Sequence, residues 1–352
     1  MPEKTIRIKD IARLAGVSIG TVDRVLHKRG KTSQEATSKV LSVLQKMDYK
    51  PNFIARNLGS NRRLRIATLI PHAPTDEYWV QCEKGLQNAA NDWGHFNVQI
   101  EPFFFDLDSS TSFTKAAHAL LRATPDGVLM APLFHAEALA IIRLFEEHSI
   151  PFVTINTEIK DYNGISFIGQ NAFQSGRLAA ELLHLKTPQH NDTATYAILH
   201  INEDLDNSIH LIEKERGFRE YFKEAGKANV VTLSIVDVAG EEFVKALDDL
   251  LLKSSLKGIF VSTSKAFEVA DRMNNKGKVN LVGYDLLSKN IGYLKKGLID
   301  FLIHQNPRRQ AIQGINTLSN YLVFKKTAKQ LDLFPLEVIT RENLQSYLGS
   351  DL

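Results

Sequence analysis

Between Gly16 and Lys31 the chain places Ser18, Ile19, Gly20, Thr21, Asp23, Arg24 and His27 on the outward side of one short amphipathic segment, with Lys28, Arg29 and Lys31 just beyond. Hydroxyls, cations and an apolar tip on one exposed face are the side-chain types that meet phosphates and base edges of a nucleic acid duplex. A second set follows successive strand-like runs: Asp76, Tyr78 and Trp79, then Asp106 and Asp108, then Phe134 and His135, then Asn156, Thr157 and Glu158. Farther on come Asn202, Asn207, Ser264, Asp285 and Gln305. Paired acceptors and donors flanked by aromatic faces suit a polyhydroxylated ring.

The elements that must position the first set are short helices. Ile8, Ile11, Ala12 and Ala15 recur at helical spacing, and Gly16 ends that helix. Ser18 can accept from the free amides of a new first turn, while Val22, Val25 and Leu26 form the buried side of the second helix. A third helix is expected from Thr32, with Glu35 completing a capping box and Ala36, Val40, Val43, Leu44 and Met47 as its inner stripe. Residues 1–50 thus read as a helix-turn-helix unit. Gly16-Val17-Ser18-Ile19-Gly20 also fits the pattern of a hydrolase nucleophile elbow. That elbow needs a strand before its serine, and the segment Lys9–Leu14 is helical, so no catalytic residue is expected here.

Charge divides the chain. Through Arg65 there are fifteen Lys/Arg against five Asp/Glu, while the remaining 287 residues carry 28 against 35. A basic head on an acidic body is the electrostatic footprint of a domain that neutralises phosphates. The N-terminus lacks the apolar core of a signal peptide, no run approaches the ~18 apolar residues of a membrane span, and Cys82 has no cysteine partner. These features point to a reducing cytoplasm and no membrane. There is no G-x-G-x-x-G after a strand, no Walker loop and no His/Cys/Asp cluster, so neither an enzyme, a cofactor nor a metal site is expected.

Residues 51–64 read as a hinge. Pro51 opens it, Asn52 can cap and Gly59 can close, leaving about two helical turns, too few to be stable alone. Leu58 is suited to wedge between base steps of a minor groove, with Arg56 near the phosphates.

From Arg65 onward strand-like runs alternate with amphipathic stretches: Ile66–Ile70, Val98–Phe105, Gly127–Met130 and Phe152–Ile155, then Tyr196–His200, Val230–Val236, Gly258–Val261, Asn280–Gly283 and Phe301–His304. That alternation predicts an α/β body over 65–352, two doubly wound lobes of parallel sheet covered by helices. The lobe change is expected near 158–163 and the return near 285–290. Ligands of such sheets bind beyond the carboxyl ends of the strands.

Two spaced motifs, Ala15-Gly16-Val17-Ser18 through Thr21-Val22 and Arg24-Val25, then Tyr49, Pro51-Asn52, Ala55 and Leu58, resemble the lactose-repressor (LacI/GalR) family of bacterial transcription regulators. The body resembles that family's periplasmic-binding-protein-like domain through Ile150–Asn156, Gly169-Gln170-Asn171, Gly176–Ala180, Val282–Asp285 and Gln305. The resemblance implies that Ile19, Gly20 and Arg24 face bases, Ser18 and Thr21 meet phosphates, and Ala55 and Leu58 take the hinge's minor-groove role. It also implies that Asn156, Asp285 and Gln305 contact an effector. The chain departs from the pattern at Asp23, where a small polar residue is usual, and at Lys214, where many relatives place Arg. The implied protein is a cytoplasmic homodimeric repressor on a pseudo-palindromic DNA operator, controlled by a sugar-like effector between the lobes. The rival is a cytoplasmic ligand receptor whose basic head docks on a protein. No leucine heptads follow Gln330, which disfavours a coiled-coil tetramer.

Overall fold

The computed structural model describes residues 8–26, 30–47, 63–72, 74, 76–187, 194–201, 207–226, 229–235, 240–273 and 279–348. The chain divides into two compact units, residues 1–59 and 60–352.

In the first unit, α1 (Ile8–Ala15) buries Ile11, Ala12 and Ala15. Gly16 ends it at φ 65°, a left-handed conformation in which a side chain is strained. α2 (Ile19–Leu26) starts where Ser18 Oγ accepts from Thr21 N at 3.1 Å, and turns Val22 inward. Because helix, not strand, precedes Ser18, this serine is a cap and not an elbow nucleophile. The cap of α3 (Gln34–Lys46) corrects the sequence expectation. Ser33, not Thr32, caps it, accepting from Ala36 N at 3.2 Å, and Glu35 instead pairs with Lys39 at 2.7 Å. Two adjacent hydroxyls both suit a cap, and the chain's entry angle chooses between them. Thr32 Oγ1 meets Thr37 Oγ1.

The second unit holds two six-stranded sheets. The first lobe runs β1 (Leu64–Pro71), α4 (Glu77–Gly94), β2 (Val98–Phe105), α5 (Ser110–Arg122), β3 (Gly127–Met130), α6 (His135–Glu147), β4 (Phe152–Ile155) and β5 (Ser166–Gly169). The second runs α7 (Ala172–Leu185), β6 (Thr195–Ile201), α8 (Ile209–Glu224), β7 (Asn229–Ile235), α9 (Glu241–Leu251), β8 (Leu256–Val261), α10 (Ala266–Met273), β9 (Asn280–Tyr284), α11 (Ser288–Lys295) and β10 (Phe301–His304). The chain then returns through α12 (Pro307–Phe324) to the first lobe, adds β11 (Leu331–Leu333) to its sheet, and crosses again to β12 (Glu337–Ile339) and α13 (Gln345–Leu348). Strand orders are β11-β5-β4-β3-β1-β2 and β12-β10-β9-β8-β6-β7. All described pairs are parallel except β10 with β12. The central strands β3, β4 and β5 are wholly buried, as parallel strands covered on both faces are.

The crossing points differ from the expectation. Residues 158–163 form a loop that returns to β5 in the same sheet, so the first crossing lies at Gln170-Asn171. The polar stretch reads as a linker, and β5 beyond it has only two apolar residues, Phe167 and Ile168, against three in each of β3 and β4. The second crossing follows His304, not Asp285, because α11 and β10 still belong to the second lobe. A third, at 334–336, carries the tail that the sequence left without elements. One side chain ties all three crossings together: Gln170 Nε2 donates to His304 O and to Pro335 O, each at 2.8 Å.

Candidate functional site

The exposed face of α2 carries Ser18, Ile19, Gly20 and Arg24, with Thr21 and Asp23 half-buried beside them. Ile19 is 58% exposed on this face. Ser18 Oγ meets Thr21 Oγ1 at 2.9 Å, and Arg24 Nε donates to Gly20 O at 3.1 Å, which holds the guanidinium along its own helix. Lys31 is exposed five residues past the end of α2. His27 and the hinge residues Asn52, Ala55, Arg56 and Leu58 lie outside the described residues.

In the body, the carboxyl ends of the two sheets face each other, and the backbone there is set by two residues of positive φ. Asn156 (φ 67°) follows β4 and Asp285 (φ 63°) follows β9. Asn and Asp tolerate this conformation better than other side chains. From them a hydrogen-bonded chain spans the site. Asn156 Nδ2 donates to Tyr78 Oη at 2.7 Å, and Asn156 N to Gln310 Oε1 at 2.9 Å. Gln310 Nε2 donates to Gln305 O at 2.9 Å, and Gln305 N and Nε2 donate to the two Asp285 oxygens at 2.9 and 2.8 Å. Asp285 is 1% exposed, and both its oxygens are thereby occupied by one glutamine.

Asp76 caps α4, accepting from Tyr78 N and Trp79 N. Burial raises its carboxyl above the usual range, opposed by the nearby charge of Lys265. Burial likewise holds the Tyr78 phenol in its neutral, proton-bearing form. Lys214 is buried on α8, where its Nζ donates to Ser262 O at 2.9 Å and lies 3.9 Å above the Tyr284 ring. Its backbone is placed by an unusually close helix crossing. A Cβ on Gly176 of α7 would stand 1.9 Å from Lys214 O, and one on Gly217 of α8 would stand 2.0 Å from Phe173 O.

These residues enclose a pocket of about 40 Å³. Of the sequence-named set, it brings together Asp76, Tyr78, Trp79, Asn156, Lys214, Ser264 and Gln305, with Asp285 directly behind Gln305. Asp108, Phe134 and Asn207 do not line it. Asp108 is exposed in an outer cleft of about 460 Å³ with His72, Lys265 and Lys289. Phe134, half-buried, packs edge-on against Phe105 and beside Phe113 at the margin of the first lobe's core. Asn207 reaches across the lobes, accepting from Ala136 N at 2.9 Å and donating to Glu137 Oε2 at 2.8 Å. Sequence reasoning missed His210, Thr263 and Lys265 of the pocket wall, and Gln310. Ser264 gave the only hint of that loop. Thr263 Oγ1 is buried without a hydrogen-bond partner, a group that a ligand hydroxyl would satisfy.

A helix-turn-helix head followed by two sheets that face each other across a polar pocket defines a ligand-responsive DNA-binding regulator. Residues 7–52 match the model of bacterial regulatory proteins of the lacI family, and residues 66–326 that of the periplasmic binding protein domain. The chain belongs to the lacI family of regulators with a periplasmic-binding-protein domain. It is 31% identical over 157 residues to the HTH-type transcriptional regulator RegA of Clostridium acetobutylicum, covering 44% of this chain and so spanning somewhat under half, 45%, of that protein. With the ribose operon repressor of Halalkalibacterium halodurans it shares 25% identity over 342 residues, 95% of this chain and 94% of the other. A protein described as a LacI transcriptional regulator from Bacteroides fragilis has a crystal structure matching 81% of this chain and 100% of its own, with 30% identity and a TM-score of 0.75. Among the described residues no helix is long and apolar enough to cross a membrane.

Proposed function

We propose that this chain is a cytoplasmic transcriptional repressor, without enzymatic activity, that binds a pseudo-palindromic operator as a homodimer and is controlled by a sugar-like effector held between the lobes. Ser18 and Thr21 would contact phosphates, and Ile19, Gly20 and Arg24 base edges, with Asp23, His27 and Lys31 at the margins. Asn52, Ala55, Arg56 and Leu58 would form the minor-groove hinge. The observation that carries the reading is the union, in one chain, of an exposed, basic helix-turn-helix face with a buried polar interlobe pocket. That pocket presents Asp76, Tyr78, Trp79, Asn156, Lys214 and Gln305, and the unpartnered Thr263 hydroxyl. Donors and acceptors beside Trp79 fit a sugar's hydroxyls and apolar ring face. The effector acts by linkage: a ligand that prefers one lobe arrangement shifts DNA affinity, typically by 1–3 kcal/mol.

The test is fluorescence anisotropy of the full chain on DNA from upstream of its own gene, against scrambled DNA, with and without a sugar panel. Selective binding, altered by one sugar, is the expected result. Asp285→Ala should remove the sugar response and leave DNA affinity within about threefold. A retained response would move the effector site elsewhere, and equal binding to both DNAs would favour a head that docks on protein.

A further inference from the structure

This inference rests on the interlobe effector reading and concerns the size and chemistry of the effector. The inner pocket of about 40 Å³ has room for little more than one water in this lobe arrangement. Asn156 and His210, which line it, also line an adjoining open cleft of about 610 Å³. That volume lies within the range of small-molecule sites. Its wall includes two buried polar atoms without hydrogen-bond partners: Gln170 Oε1, on a residue 8% exposed, and His135 Nδ1 at the start of α6. Buried groups left unpaired are costly, a cost that a ligand's hydroxyls would remove.

The charges of the wall disfavour an anionic ligand. Arg216 and Glu213 neutralise each other at 2.6 Å, with the guanidinium 4.5 Å over the Phe173 ring, which leaves Glu158 and Asp161 against Lys160. That excess of carboxylate disfavours phosphate and carboxylate groups. Tyr162 supplies aromatic surface for the apolar face of a sugar ring, and Phe173, one face of which Arg216 covers, also lines the wall.

We propose that this cleft is a second subsite of the effector site and takes a further neutral sugar ring, so that the effector is a disaccharide rather than a free or phosphorylated monosaccharide. The first ring enters the inner pocket as the lobes part, and the second lies against His135, Gln170 and Phe173.

Isothermal titration calorimetry on the full chain tests this, with maltose, cellobiose, lactose, sucrose and trehalose, their constituent monosaccharides, and glucose 6-phosphate as the anionic probe. One disaccharide should bind at least tenfold more tightly than either of its constituents. Leu139→Trp, which fills the cleft from α6, should erase that margin and leave monosaccharide affinity unchanged. His135→Ala, which inserts no bulk, should reduce the margin threefold or more and serves if the tryptophan variant fails to fold. Equal affinity for disaccharide and monosaccharide, tighter binding of glucose 6-phosphate, or a margin that survives both variants overturns the second subsite alone. Binding of none of the sugars overturns the sugar-effector reading beneath it.

Discussion

His200 is fully buried between two partners, with Nδ1 2.7 Å from Ser262 Oγ and Nε2 2.9 Å from Glu215 Oε2. Glu215 also accepts from Arg219 Nε at 2.6 Å and Thr232 Oγ1 at 2.7 Å. These bonds, the one from His200 foremost, hold its carboxyl at about 2, against an ordinary 4.5. A depressed carboxylate contributes its full stabilisation above the ordinary value and loses it as pH falls through the depressed one. The body should therefore lose stability progressively between pH 4.5 and about 2, followed by circular dichroism in denaturant. Glu215→Gln should cost about 1–3 kcal/mol at neutral pH and flatten that acid limb. An unchanged limb would assign the acid sensitivity to other carboxylates. Ser262 also receives Lys214 through its carbonyl, so this network braces the pocket wall. Asp285 and Asn156 were legible because they follow strands, whereas nothing local marks His200, Glu215 and Ser262 as partners. They come from a strand, a helix and a loop separated by up to 62 residues.

At the scale of elements, the crossing of α7 on α8 is decided by two glycines. A Gly to Ala change inside an exposed helix stabilises by up to about 1 kcal/mol, since alanine has the higher helical propensity. At Gly176 the sign should reverse, because the new methyl would stand 1.9 Å from Lys214 O and neither backbone can yield without parting the helices. Gly176→Ala should lower stability by about 2 kcal/mol or more, read from the denaturant midpoint, and weaken effector binding by moving Lys214. A stabilised variant would show that the crossing is looser than described. The helices themselves were legible from apolar spacing, down to Val22 and Val40 as buried anchors. β5, with only two apolar residues, and the three-residue β11 and β12 were not, because so few residues carry no signal of their own and are drawn into the sheet by the neighbours they pair with.

For the whole body, the lobes meet through Leu287 and Phe267, packed on the first lobe's core, and through polar contacts: Asn207 on Ala136 and Glu137, Ser288 N on Glu77 Oε2 at 2.6 Å, and Thr157 on His210 at 3.3 Å. Polar contacts of this kind are worth about 1 kcal/mol each, the scale at which ligand binding can shift a two-state equilibrium. Asn207→Ala should favour the parted arrangement, seen as a larger radius of gyration by X-ray scattering and faster amide exchange at 135–138. No change in either would place the closing contacts elsewhere. Local chemistry in the sequence alone determined the helix-turn-helix, the basic head, the alternating α/β body and most of the pocket's residues at strand ends, because periodicity, capping and charge act over a few residues. Only the tertiary structure decided that the chain crosses between lobes three times, that Gln170 ties those crossings, that Asn207 bridges the lobes, and that a large cleft adjoins the small pocket. Those outcomes depend on pairings across 70 to 165 residues and on the space that packed elements leave between them, neither of which is encoded in any one segment.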